Sequence, residues 1–200
     1  MASTTAQEFN LELTNVPREY VKDMLRGLLH SIFFHRLLVN VAPRELRVLN
    51  TTVSITDSQE VETLIEQKIA EFLQNTNSSQ IKQGKLAVLF YEKRLKKNWF
   101  HFTKGEEFNK ARRERDKLDV SKLHILDKPK TTRWMENQLS QCLLTILKIV
   151  NEHKEHIPSI TTTEGNPFPY QIAIQSQTES WGTMIKRMLV TDPPNNSGPL

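Results

Sequence analysis

The chain has little of what most enzyme motifs require. A single cysteine, Cys142, in 200 residues excludes an internal disulfide and any multi-cysteine zinc site, and it suits a reducing compartment. The six glycines are so dispersed that no two lie within fifteen positions of each other. That spacing removes the dinucleotide-binding fingerprint, the phosphate-cradling loop and the hydrolase nucleophile elbow together. No apolar run nears the roughly 20 residues of a membrane-spanning helix, and stretches such as Leu28 to Phe34 stop well short. The opening MASTTAQEFN has no basic start followed by an apolar stretch, so it does not read as a secretory signal. Together these absences predict a cytoplasmic protein without catalytic activity, cofactor or metal.

The residues that are present describe a water-soluble α+β domain. Hydrophobic residues make up 38% and charged residues 25%, and the mean hydropathy of -0.50 rules out a membrane class. The formal net charge is +4, yet the surplus sits in one place. From Lys93 to Lys117 ten Lys or Arg face four Asp or Glu, a local +6, which leaves -2 on the rest of the chain. Such a segment suits an acidic protein, a phosphate backbone or an anionic surface.

Periodicity orders the elements. Phe9, Leu11 and Leu13 alternate as a short first strand. Asn15 is placed to cap the next helix with Pro17 in its first turn, and Val21, Met24, Leu25, Leu28, Leu29, Ile32 and Phe33 carry that helix to about Arg36. Leu46 to Thr56 read as a strand or a strand pair around Asn50. Asp57 and Glu60 have capping-box spacing ahead of a second helix ending near Gln74. Lys85 to Leu95 read as an interior strand, about 96–117 as a protruding loop, and Val120, Leu123 and Ile125 as a further strand. Thr131 or Thr132 caps a third helix. Between Cys142 and Val150 only Thr145 and Lys148 are polar, which predicts that this helix is the central one. Tyr170, Ile172 and Ile174 alternate as a strand, Trp181 to Val190 fit strand or helix, and 191–200 read as a flexible tail after a single domain over 1–190.

Few residues call for chemistry. His153 and His156 stand three apart, but with no third ligand they read as a solvated helix end rather than a metal site. His30 and His35 do not share a helical face, and His35 with Arg36 suits the negative end of the first helix's dipole. Cys142 falls on the apolar face of the third helix and reads as a buried structural thiol. Trp99, Phe100 and Phe102 are the exception, an aromatic cluster bracketed by Lys96-Lys97 and Lys104. Three readings remain open for them: a strand continuing into the core, an anchor for a protein partner, or stacking of nucleic-acid bases within a basic module spanning 93–117.

Several strings in fixed order resemble one family: LLHSIFFHR (Leu28 to Arg36), LFYEKRLKKNWFHF (Leu89 to Phe102), ILKIVNEHKEHIP (Ile146 to Pro158), PYQIAIQ (Pro169 to Gln175) and TMIKRML (Thr183 to Leu189). Collinear from about Phe9 to Leu189, they are similar to the autophagy-related protein 101 family of HORMA-domain proteins. The resemblance implies three helices packed on a mainly antiparallel sheet, with the apolar third helix central. It implies a non-catalytic scaffold that pairs with the HORMA domain of autophagy-related protein 13 within the autophagy-initiating protein kinase complex. It also implies a cytoplasmic chain recruited to the pre-autophagosomal structure, where an exposed Trp-Phe finger engages downstream autophagy factors. Trp99 maps onto the family Trp, and Phe102, then Phe100, onto the Phe; the family's intervening Pro is replaced here. His35, Arg36 and Arg133 are the candidate residues facing the partner HORMA domain, and no nucleic acid is expected on this reading.

Overall fold

The computed structural model describes residues 7–37, 42–77, 83–94, 111–126, 131–153, 170–175 and 183–184. In chain order the elements are β1 (Gln7–Pro17), α1 (Arg18–Arg36), β2 (Pro43–Val48), β3 (Thr51–Thr56), α2 (Gln59–Asn75), β4 (Gln83–Arg94), β5 (Ala111–Leu126), α3 (Thr132–Glu152) and β6 (Tyr170–Ile174). The main sheet has the order β1-β5-β4-β6, with β2 and β3 forming a separate hairpin. Only β1 and β5 run parallel; β4 is antiparallel to both of its neighbours. This is the expected α+β arrangement of long helices on a mainly antiparallel sheet, and β4 is the interior strand its apolar run predicts.

Helix α1 occupies the middle. Eleven of its 19 residues are buried, including Met24, Leu25, Leu28, Leu29, Ile32 and Phe33. It packs against β3, α3 and α2, over a sheet face built from Leu11, Leu13, Leu86, Val88, Phe90 and Ile172. Each such side chain taken fully out of water contributes about 1.5–3 kcal/mol. Gly27 lets α1 approach its neighbours: a Cβ there would meet Val48 Cγ2 at 3.3 Å and Leu139 at 3.5 Å. On the sheet's opposite face Ala87, Leu89 and Ala173 bury together with Met184.

Four expectations need correction. The central helix is α1, not α3, which buries only Met135, Leu139, Cys142 and Ile146; an all-round apolar composition cannot say which sides the fold covers. Asn15 does not cap α1. Strand β1 continues to Pro17, and Asn15 sits inside it at φ 53°, a left-handed conformation that Asn tolerates better than most residues. The cap of α2 is Ser58, whose hydroxyl accepts from the Val61 N–H at 3.4 Å, one residue beyond Asp57. Finally, residues 111–117 of the expected 96–117 loop are strand, because β5 begins at Ala111. ARRERDK has charge at both alternating parities and so shows no two-residue stripe; its backbone ladder with β4 makes it a strand.

That ladder runs past its neighbours. Among the described residues, β6 pairs with β4 as far as Phe90 and β1 pairs with β5 from Asp116 onward, whereas β4 and β5 stay paired to Arg94 and Ala111. Among the described residues, the last four residues of β4, Tyr91 to Arg94, pair with β5 alone, over roughly 14 Å.

Candidate functional site

Two surfaces are built differently. Along α1, α2 and β2 the exposed charges satisfy one another. Arg26 bridges Glu62 at 3.1 Å and Glu66 at 2.9 Å, Lys22 reaches Glu66 at 3.1 Å, and Arg44 joins Glu62 at 3.1 Å and Asp57 at 3.2 Å. The hydrogen bond from Arg44 holds the Glu62 carboxyl below its ordinary range. Such a self-paired face has little left to offer a partner.

The outer face of α3 is the reverse. Leu144 is 58% exposed and Leu147 41%, the only large hydrophobics so exposed among the described residues. Helical spacing of 100° per residue puts Arg133, Asn137, Gln141, Leu144 and Lys148 on one stripe, and all five are exposed. Lys148 makes only a loose 3.8 Å contact with Glu152. At the helix start, Arg47 donates to Asn50 at 3.3 Å and Asn50 in turn to Glu136, so the β2–β3 turn is tied to the first turns of α3. The result is an exposed stripe with Arg133 at one end, polar Asn137 and Gln141 in the middle, and Leu144 and Leu147 close to Lys148 at the other end.

The three candidate partner-facing residues part company here. Arg133 is exposed on that outer stripe. Arg36 is only 7% exposed and lines a shallow apolar notch with Ile32, Ile146, Ile149 and Val150, behind α3 rather than on its outer face. His35 is half-buried at the end of α1; burial, then the neighbouring Arg36 charge, lowers its affinity for a proton. Gly27 lies beside Leu139 and Arg36 beside Ile146 and Ile149, so α1 and α3 run in the same sense and Arg36 and Arg133 mark opposite ends of their contact. Leu144 and Leu147 were absent from the expected set. Their signal was the near absence of polar residues between Cys142 and Val150, which reads equally as a core helix and as a helix with one covered and one uncovered apolar face.

Other candidates resolve into structure. Burial pushes the Cys142 thiol up to about 11, so it is not a thiolate at neutral pH. The His153 ring packs on Phe9, with centroids 4.8 Å apart; His156 lies outside the described residues. Among those residues no group of three His, Cys, Asp or Glu could hold a metal, and no helix is long and apolar enough to cross a membrane. Trp99, Phe100 and Phe102 also lie outside the described residues; the last described pair before them is Arg94 opposite Ala111.

Comparison with known proteins adds a family. The profile of the family "Autophagy-related protein 101" matches residues 13–164. A protein of that name from Arabidopsis thaliana is 30% identical over 202 residues, covering 89% of this chain and 92% of the relative. One from Schizosaccharomyces pombe is 28% identical over 173 residues, covering 86% of this chain and 89% of the relative.

Proposed function

The chain belongs to the autophagy-related protein 101 family, and from that premise we propose that it is a non-catalytic adaptor in autophagy initiation, pairing through the outer face of α3 with the HORMA domain of autophagy-related protein 13. The observation that carries this reading is the exposed Leu144 and Leu147 on an otherwise well-packed domain. Exposed apolar side chains on a rigid helix, rimmed by polar residues, are what a protein interface with an apolar core and polar rim requires. Arg133 and Lys148 form the rim, and Arg36 supports α3 from behind; His35, half-buried at the end of α1, remains a candidate on the resemblance alone.

Through this pair the chain joins the autophagy-initiating kinase complex, in the cytoplasm and at the pre-autophagosomal structure. Trp99 with Phe102 or Phe100 engages downstream factors. The β4–β5 pairing supports that role, because its last described pair, Arg94 opposite Ala111, brackets the segment that holds Trp99, Phe100 and Phe102.

Pull-down by the HORMA domain of autophagy-related protein 13 tests the reading. Leu144→Asp with Leu147→Asp is expected to abolish capture while the free chain stays folded by circular dichroism. Trp99→Ala with Phe102→Ala is expected to keep capture and lose the later factors. Undiminished capture by the double aspartate variant overturns the assignment of the α3 face.

A further inference from the structure

Strand β1 is irregular where it meets α3. Its pairing with β5 shifts between Leu11 and Glu12 and again between Leu13 and Val16. At the second break Leu13 pairs with Leu123 and Val16 with Ile125, so Thr14 and Asn15 oppose His124 alone. This is a bulge in a parallel pair, where bulges are uncommon, and it takes residues out of the ladder. Thr14 is half-buried there, and the backbone groups it loses from the ladder find their partners elsewhere.

One side chain supplies them. The Gln138 amide nitrogen donates to the Thr14 carbonyl and to Thr14 Oγ1, both at 2.9 Å, and its amide oxygen accepts from the Thr14 N–H at 3.3 Å. One helical turn on, Cys142 Sγ lies 3.7 Å from the Glu12 carbonyl, at the first break. The Thr14 bulge, and the Glu12 carbonyl beside the first shift, where the extra residue is Ser121 of β5, are therefore met by the same face of α3. Leu147 is nine residues beyond Gln138, about 180° around the helix, so the face that grips β1 is opposite the face that presents Leu147.

We propose that Gln138 is a positioning residue: by clamping the Thr14 bulge it sets how α3 presents its outer face, so that partner occupancy and closure of the β1–α3 seam favour one another. The coupling rests on the proposed pairing through α3; the clamp itself does not. By linkage, a partner that binds the clamped arrangement better must also hold the seam shut.

Cys142 is the sole thiol and lies inside the seam, so its labelling by a thiol reagent reports opening directly. In the free chain, Gln138→Leu is expected to raise the labelling rate roughly tenfold to a hundredfold, the equivalent of losing one to three part-buried hydrogen bonds. The increase should depend only weakly on urea, as local opening does and global unfolding does not. Thr14→Val should raise the rate less, and the two changes together should be less than additive. If Gln138→Leu does not fold, Gln138→Glu, which keeps an acceptor for the Thr14 N–H but loses both donations, serves in its place. Saturating partner HORMA domain is expected to slow labelling of the wild-type chain severalfold.

Equal rates in wild type and Gln138 variants, or an increase with the urea dependence of global unfolding, overturn the clamp. Pairing that leaves the Cys142 rate unchanged overturns the coupling while the proposed function stands. A wild-type chain that does not pair overturns the proposed function and the coupling with it, and the free-chain rates still decide the clamp.

Discussion

Helices α1 and α3 are both rich in apolar residues, yet the fold uses them oppositely. Helix α1 is enclosed by the sheet, the β2–β3 hairpin and both other helices, so even His30, Ser31 and Arg36 on it are buried. Helix α3 rests on α1 and β1 by one stripe and turns Leu144 and Leu147 outward. Apolar density thus measures how much surface a helix must hide, and not whether its own domain hides it. The proposed function assigns that exposed face to a second chain.

The sharpest way to break this contrast is to cut into each helix. Phe33→Ala on α1 removes a ring that is fully buried and packed edge-on against Tyr170 at 4.9 Å. It should cost about 3–5 kcal/mol, a large share of the stability of any small domain, read as a lower urea midpoint at unchanged slope. Leu139→Ala, on the inner stripe of α3, should cost about 2–5 kcal/mol by the same measurement. A negligible loss at Leu139 would mean that α3 is peripheral on both faces. Smaller again is Gly84→Ala. A Cβ at Gly84 would run into the ring of Phe72, itself locked in the core, so the ring must shift, at a cost of about 1–3 kcal/mol.

The inside of α1 also carries a pH dependence in the acid range. His30 is 1% exposed, and neither ring nitrogen has a hydrogen-bond partner among the described residues. Burial first, then the charges of Arg26 and Arg44, lower its affinity for a proton, against an opposing pull from Glu62 and Glu66. The folded state therefore keeps His30 neutral at a pH where the unfolded chain, with its ordinary value of 6.5, already binds a proton. Stability from this residue is complete above about pH 6.5 and falls as the pH drops below it, by at most about 1.4 kcal/mol per pH unit. Urea midpoints at pH 7.5 and 5.5 should differ more for the wild type than for His30→Leu. Equal differences would place the titration elsewhere, with His35 the first alternative, since burial lowers its affinity as well.

What was legible in the chain follows from the range of the forces involved. The stripe of α1, the alternation of Leu11 and Leu13 and the hairpin around Asn50 are local patterns tied to burial, and each appears where periodicity puts it. The Ser58 cap was missed by one residue because Asp57 offers an equivalent side-chain oxygen. The start of β5 was missed because its first residues are held by backbone pairing, which leaves no mark in a run of mixed charge. The Thr14–Gln138 clamp joins positions 124 apart, beyond any window of local reading. As for the candidate site, Arg133 was in view and Leu144 and Leu147 were in plain sight as letters, but their exposure depends on what the rest of the chain covers.

The smallest expected effect isolates the exposed face. Leu144→Gln and Leu147→Gln replace apolar side chains by a residue of nearly equal helix propensity, so the change in the free chain reports burial alone. With 58% and 41% of these residues already in water, each substitution should move the stability of the free chain by about 0.5–1 kcal/mol, severalfold below Phe33→Ala. The same pair of changes removes the apolar centre of the proposed interface, where a few residues carry most of the binding energy. Partner affinity should therefore fall steeply while the urea midpoint stays in place. A midpoint that drops as far as that of Leu139→Ala would show that the chain itself covers α3 in solution, and the distinction between the two helices would disappear.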